Sequence, residues 1–205
     1  EQPTQIAELD LDIPFNDHLI GEAYFFKNKK INKPMDFSGK NYMSLVEQHN
    51  FLIQLIFPEI SNSKSQRQLT KSDYEFLLRE MSMLPRESEF PKYGQDYYDS
   101  YCKFFIYGNS KERMPDHVKI FNKVGLAYGF LLDNAYIVDF ENKIEFFLSA
   151  VVYSNSNGVL NDDSYDYDTL TIPFLADVGR AIYEYELQRD REFDPDLSHL
   201  NKIDL

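Results

Sequence analysis

Lys123 and Gly125 stand two residues apart in the stretch 120–129, Ile-Phe-Asn-Lys-Val-Gly-Leu-Ala-Tyr-Gly, which otherwise reads as a buried strand. Val118, Ile120, Phe121, Val124, Leu126, Tyr128, Phe130 and Leu131 are β-branched, aromatic or large apolar residues that favour pleated, largely buried backbone. An ammonium in such a run has to reach water, a cleft or an anion, because leaving it buried and unpaired is costly. A glycine weakens a strand and often marks close approach of a ligand or of another backbone. Together the two residues could make a strand edge that holds an anionic ligand against the main chain. The same residues also fit a lysine snorkelling from a sheet edge beside a bulge glycine.

Acyl-transfer chemistry would further need an activated nucleophile. Two Ser-x-x-Lys matches occur, Ser61 with Lys64 and Ser100 with Lys103. The first lies in a polar loop, where nothing would desolvate the lysine enough to make it a base. The second falls in an aromatic segment that reads as helix, a better environment. Ser72-Asp73-Tyr74 opens a helix, where capping accounts for both polar residues. His18, His49, His117 and His199 are scattered without paired metal-ligand spacing, and His49 sits on the apolar face of a helix as a core histidine would. Asp162, Asp163, Asp166 and Asp168 alternate with Tyr165 and Tyr167, but a calcium loop from Asp162 would need glycine in place of Tyr167 and glutamate in place of Pro173. No metal or cofactor site is therefore expected. Tyr97, Tyr98, Tyr101 and Tyr107 could form a platform for a sugar or other ligand, although helical spacing assigns them to core or rim packing.

The elements that must position these residues change character near Val118. Residues 1–35 read as irregular. Leu45, Val46, His49, Leu52, Ile53, Ile56 and Phe57 recur at helical spacing up to Pro58. Thr70 precedes a second helix with acidic residues in its first turns, ended by Pro85, and a third helix is expected near 97–107. From there the pattern predicts three antiparallel strands between about 117 and 154, with Asp139–Lys143 as a hairpin turn. Leu175, Val178, Ile182 and Tyr185 form one face of a closing helix, and the tail from Asp190 is polar and expected to wrap the surface. The chain divides into a mainly helical part, 1–116, and a strand-and-helix part, 117–205, within one structural domain of α+β class.

Composition narrows the function classes. A chain of 205 residues with 43% hydrophobic and 16% aromatic residues can bury a real core and is not disordered. A net charge of −13 without a basic stripe would repel a nucleic-acid backbone or an anionic membrane surface. The lone Cys102 allows neither an internal disulfide nor a cysteine-based zinc site. No apolar run is long enough to span a membrane. A chain opening on Glu1 without Met is expected to be a processed product or a fragment.

The order helix, helix, Lys-x-Gly strand, two further strands and closing helix resembles the C-terminal half of the serine β-lactamase and penicillin-binding protein superfamily. Gln68–Ser88, with Leu77, Leu78 and Met81, resembles a helix of that family, and the phrases Phe-Asn-Lys-Val-Gly-x-Ala-Tyr-Gly and Met-Ser-x-x-Pro-Arg-Glu-Ser resemble an uncharacterised Bacteroidetes-type branch of it. The resemblance implies a β-lactamase/transpeptidase-like α+β fold, its antiparallel sheet packed by helices and incomplete on the N-terminal side. It also implies a cell-envelope or periplasmic serine hydrolase acting on a small-molecule or peptide-like acyl substrate through an acyl-enzyme. Its nucleophilic serine and basic lysine would lie upstream of Glu1, since Ser100–Lys103 comes too close to Lys123 and in the wrong order. By the same resemblance Lys123 supplies charge for the substrate carboxylate and the nucleophile, Gly125 leaves room for substrate, and the backbone N–H of Leu126 forms half of an oxyanion hole. Val124 stands where the family has a threonine or serine that hydrogen-bonds the substrate carboxylate, which valine cannot do. A non-catalytic binding domain of the same fold is the alternative. In either case the N-terminal half of the protein or another chain is expected to cover an open sheet edge.

Overall fold

The computed structural model describes residues 18–41, 43–60 and 69–202, and within these it is a mixed α+β structure. The segment bearing Ser61 and Lys64 lies outside the described residues. Helix α1 (Leu45–Ile56) starts with a capping box in which Ser44 Oγ accepts from Glu47 N at 3.1 Å and Glu47 Oε2 accepts from Ser44 N at 2.8 Å. Helix α2 (Lys71–Ser82) starts the same way, with Thr70 and Asp73 as the reciprocal pair, so Asp73 works as a cap. Both helices turn an apolar stripe inward through Leu52, Ile56 and Leu78.

Residues 18–36 form strands where the sequence reads as irregular, and residues 1–17 lie outside the described residues. Two short strands, β1 (Leu19–Ile20) and β4 (Met35–Asp36), pair with each other, and β2 (Ala23–Phe26) forms a hairpin with β3 (Lys29–Ile31). Their turn, Lys27-Asn28, has both residues at positive φ, as a tight hairpin turn requires.

The main sheet is antiparallel and three-stranded, in the order β5 (Val118–Ala127), β6 (Phe130–Asp139), β7 (Ile144–Tyr153). Tyr128 and Gly129, both at positive φ, close the first hairpin; a Cβ on Gly129 would come within 2.9 Å of the Asn155 Cβ. Asp139 sets the second turn by accepting from the N–H groups of Glu141 and Asn142, each at 2.9 Å. The central strand β6 is buried on both faces. Leu131, Ala135 and Ile137 face a core shared with Phe105, Met114 and Leu175, while Tyr136 and Val138 face Leu52, Ile56, Leu78 and Leu200. Each outer strand leaves one edge without a strand partner among the described residues.

A parallel bridge from β8 (Val159–Leu160) to β2 ties the loop after β7 to the N-terminal hairpin. A π-helical turn, Tyr167–Thr171, leads into α3 (Ile172–Gln188), which covers one face of the sheet. Gly179 lets α3 lie directly on the backbone before the sheet: an added Cβ would stand 2.3 Å from Ile106 N. The tail is anchored as well as wrapped, because Leu200 is fully buried in the core on the α1 and α2 face.

The helix expected near 97–107 does not form. Only a 3-10 turn, Asp99–Cys102, is present, and the chain then bends through Ile106 at positive φ. The cause is Asp133 on β6, whose Oδ2 accepts from the backbone N–H groups of Phe104 at 3.1 Å and Phe105 at 3.3 Å. A side chain from the sheet thus takes donors that a continuing helix would need for its own ladder.

Candidate functional site

A cleft of about 310 Å³ opens where the C-terminal end of α2, the segment that follows it and the 3-10 turn meet β5. Its wall includes Met81, Leu84, Tyr101, Lys103, Lys123 and Val124. Lys103 is buried, and its Nζ donates to Met81 O at 2.6 Å and to Asn122 Oδ1 at 2.8 Å. Asn122 passes the connection on, donating from Nδ2 to Cys102 O at 2.7 Å and to Asp133 Oδ1 at 2.9 Å. The result is a chain from ammonium to amide to carboxylate that pins the 3-10 turn and the end of α2 to the sheet. Burial lowers the Lys103 pKa to about 8, against the pull of Asp133. Burial likewise pushes the Asp133 carboxyl up to about 6, against its hydrogen bonds from Asn122 and the Phe104 and Phe105 backbone. Near pH 7 the two charges coexist and offset one another through Asn122.

Beside this network Asp99 is also buried. It accepts from Arg86 Nε at 3.0 and 3.1 Å and from Met114 N at 2.9 Å, which locks the outer wall of the cleft. Ser100 Oγ donates to Ser110 O at 2.6 Å, and Lys103 has its own partners, so the Ser100–Lys103 pair makes no nucleophile–base contact.

Lys123 and Val124 border the cleft, whereas Gly125 and Leu126 do not line it. The Lys123 side chain is exposed, and its Nζ donates to the carbonyl of Val124, one residue along its own strand. Val124 turns the other way and packs against the core under α3. Gly125 has open space: an added Cβ would meet nothing nearer than the Leu132 side chain at 3.9 Å. Leu126 is 48% exposed and borders a separate hollow with Tyr128, Tyr165 and Asp168. The four residues thus sit in order on one strand, but Lys123 and Val124 border one depression, Leu126 borders another, and Gly125 lines neither.

His49 is half-buried and partnered, with Nδ1 at 2.7 Å from Ser149 Oγ, which donates to Asn134 Oδ1 at 2.6 Å. Among the described residues no three His, Cys, Asp or Glu side chains are grouped to hold a metal ion, and no helix is long and apolar enough to cross a membrane.

Asn122 and Asp133 are not among the candidate residues drawn from the sequence. The signal was present in Leu131-Leu132-Asp133-Asn134-Ala135, where a carboxylate interrupts a strand that is apolar on both faces and so requires a buried partner. Its partner, Lys103, enters from the sequence only as a candidate base for Ser100. Against protein-family models, curated proteins and solved structures, the chain finds no match.

Proposed function

We propose that this chain is the C-terminal part of a β-lactamase-like serine hydrolase of the cell envelope, acting through an acyl-enzyme. Its nucleophilic serine and basic lysine belong to sequence upstream of Glu1, while Lys123 and the N–H of Leu126 complete the site. The observation that carries the proposal is the edge of β5, which has no strand partner among the described residues. Lys123 stands there at the border of a cleft with no carboxylate partner among the described residues, and two residues on Gly125 lacks a side chain that the protein's own packing has room for. An unpaired strand edge offers main-chain hydrogen bonds to an extended acyl substrate, and an exposed ammonium beside it supplies charge for an anionic group. The succession of two helices, a three-stranded antiparallel sheet and a closing helix on one sheet face agrees with the same architecture.

One observation favours a second reading, a non-catalytic binding domain of that fold. Val124 offers no hydroxyl and packs into the core, so the strand carries one polar group fewer than substrate recognition in the family would use. Treating the chain joined to its upstream sequence with an active-site-directed serine probe, and mapping the adduct by mass spectrometry, separates the two. A single adduct on an upstream serine of a Ser-x-x-Lys is expected. A protein that never labels would leave the binding domain, and an adduct on a serine within residues 1–205 would overturn the assignment of the nucleophile.

A further inference from the structure

The expected helix near 97–107 would have packed its tyrosines as core or rim. Without that helix Tyr97, Tyr98 and Tyr101 stand in the open, while Tyr107 packs against the core as expected. Tyr93, Tyr97 and Tyr101 form one cluster, with ring centroids 5.0 Å (Tyr93–Tyr97), 4.8 Å (Tyr97–Tyr101) and 6.2 Å (Tyr93–Tyr101) apart. They are 37%, 42% and 51% exposed, and Tyr93 and Tyr101 line the mouth of the cleft that Lys103 and Lys123 border. None of the three phenol hydroxyls has a hydrogen-bond partner among the described residues. Phe90, 95% exposed, lines the same mouth.

The chemistry of this cluster restricts what it can take. The centroid spacings are those of rings in contact, so no cage is open between them for a cation. A purely apolar partner would bury three phenol hydroxyls without acceptors or donors, which is costly. A nucleic acid is disfavoured by the net charge of −13. What remains is a ligand with an apolar face to lie on the rings and hydroxyls at its edge to bond the phenols. We propose that Tyr93, Tyr97 and Tyr101 form a carbohydrate-binding platform at the cleft mouth, taking a pyranose ring of a saccharide. The platform does not depend on acyl transfer, so it stands or falls separately from the function proposed above.

The test uses the intact protein with two probes, neutral cellotetraose and carboxylated tetragalacturonate. The chain contains no tryptophan, so its fluorescence reports tyrosine directly; saturation-transfer NMR provides the second readout. At least one probe is expected to bind saturably, with Tyr97→Ala weakening binding about tenfold and Tyr97→Phe, which keeps the ring, weakening it less. Tyr185→Ala, which removes a still more exposed tyrosine from α3, should leave binding unchanged. Preference for the carboxylated probe would add the cleft lysines to the recognition; preference for the neutral one would confine it to the tyrosines. Tyr93→Ala serves as the second variant if Tyr97→Ala does not fold. No response to either saccharide, unchanged binding in both folded alanine variants, or saturation of the same tyrosines by a phenylalanine-rich peptide but by no saccharide would overturn the proposal.

Discussion

Lys103 and Lys123 border one cleft under opposite conditions. Lys103 is 3% exposed, donates to two acceptors and is tied through Asn122 to the carboxylate of Asp133. Lys123 is exposed and, among the described residues, bonds only a carbonyl of its own strand and lies on an edge without a strand partner. A buried ammonium tied to two acceptors holds the fold together, and removing it leaves an uncompensated charge. An exposed ammonium holds little and is free to meet a ligand. The contrast assigns Lys103 to structure and leaves Lys123 available for the role proposed above, although the sequence presents both as lysines in apolar surroundings.

The largest effect is expected on the structural side. Lys103→Ala leaves Asp133 buried with its counter-charge gone and should lower stability by about 3 kcal/mol, read from the urea midpoint. A variant as stable as the native protein would end the assignment of Lys103 to the fold. Next comes Gly179→Ala, whose methyl would collide with the Ile106 backbone nitrogen; a loss of about 1–3 kcal/mol is expected in the same measurement.

The buried pair also predicts a pH signature. Lys103 has its folded pKa lowered to about 8 from 10.5, so between these values the unfolded chain binds the extra proton and stability rises with pH. Asp133 has its folded pKa raised to about 6 from 3.8, so across that window the native state binds the extra proton and stability gains as pH falls. These two contributions are least favourable between pH 6 and 8. Urea midpoints compared at pH 7 and 9 should show the alkaline gain in the native protein and lose it in Lys103→Met/Asp133→Asn.

The smallest stability change belongs to the edge. Gly125→Ala puts a methyl into open space on a strand and should stabilise by roughly 0.5–1 kcal/mol, while slowing any reaction that needs a ligand against that backbone. A stabilised protein with unchanged reactivity would mean that no ligand lies there.

Much of the framework was legible in the sequence. Ser44 with Glu47 and Thr70 with Asp73 announce their helices locally, and the apolar runs around Asp139–Lys143 announce β6 and β7. Strands as short as β1 and β4 carry too few residues for any periodicity to register. The false helix near 97–107 has a different cause. Its residues fit a helix locally, but its fate is decided by Asp133, some thirty residues on, capturing two backbone donors. The same long-range contact hid the Lys103 network and, by cancelling the helix, the open tyrosine cluster. Lys123 and Gly125 were visible because their departure from an apolar run is local.

The central claim, that the open edge of β5 serves an acyl-transfer site, is tested most directly by Lys123→Ala in the chain joined to its upstream sequence. The rate of labelling by an active-site-directed serine probe and the thermal midpoint are measured on the same sample. Loss of one charge-assisted contact of about 1.5–3 kcal/mol predicts labelling slowed about 10- to 150-fold with the midpoint essentially unmoved. Unchanged labelling in a folded variant would contradict the account.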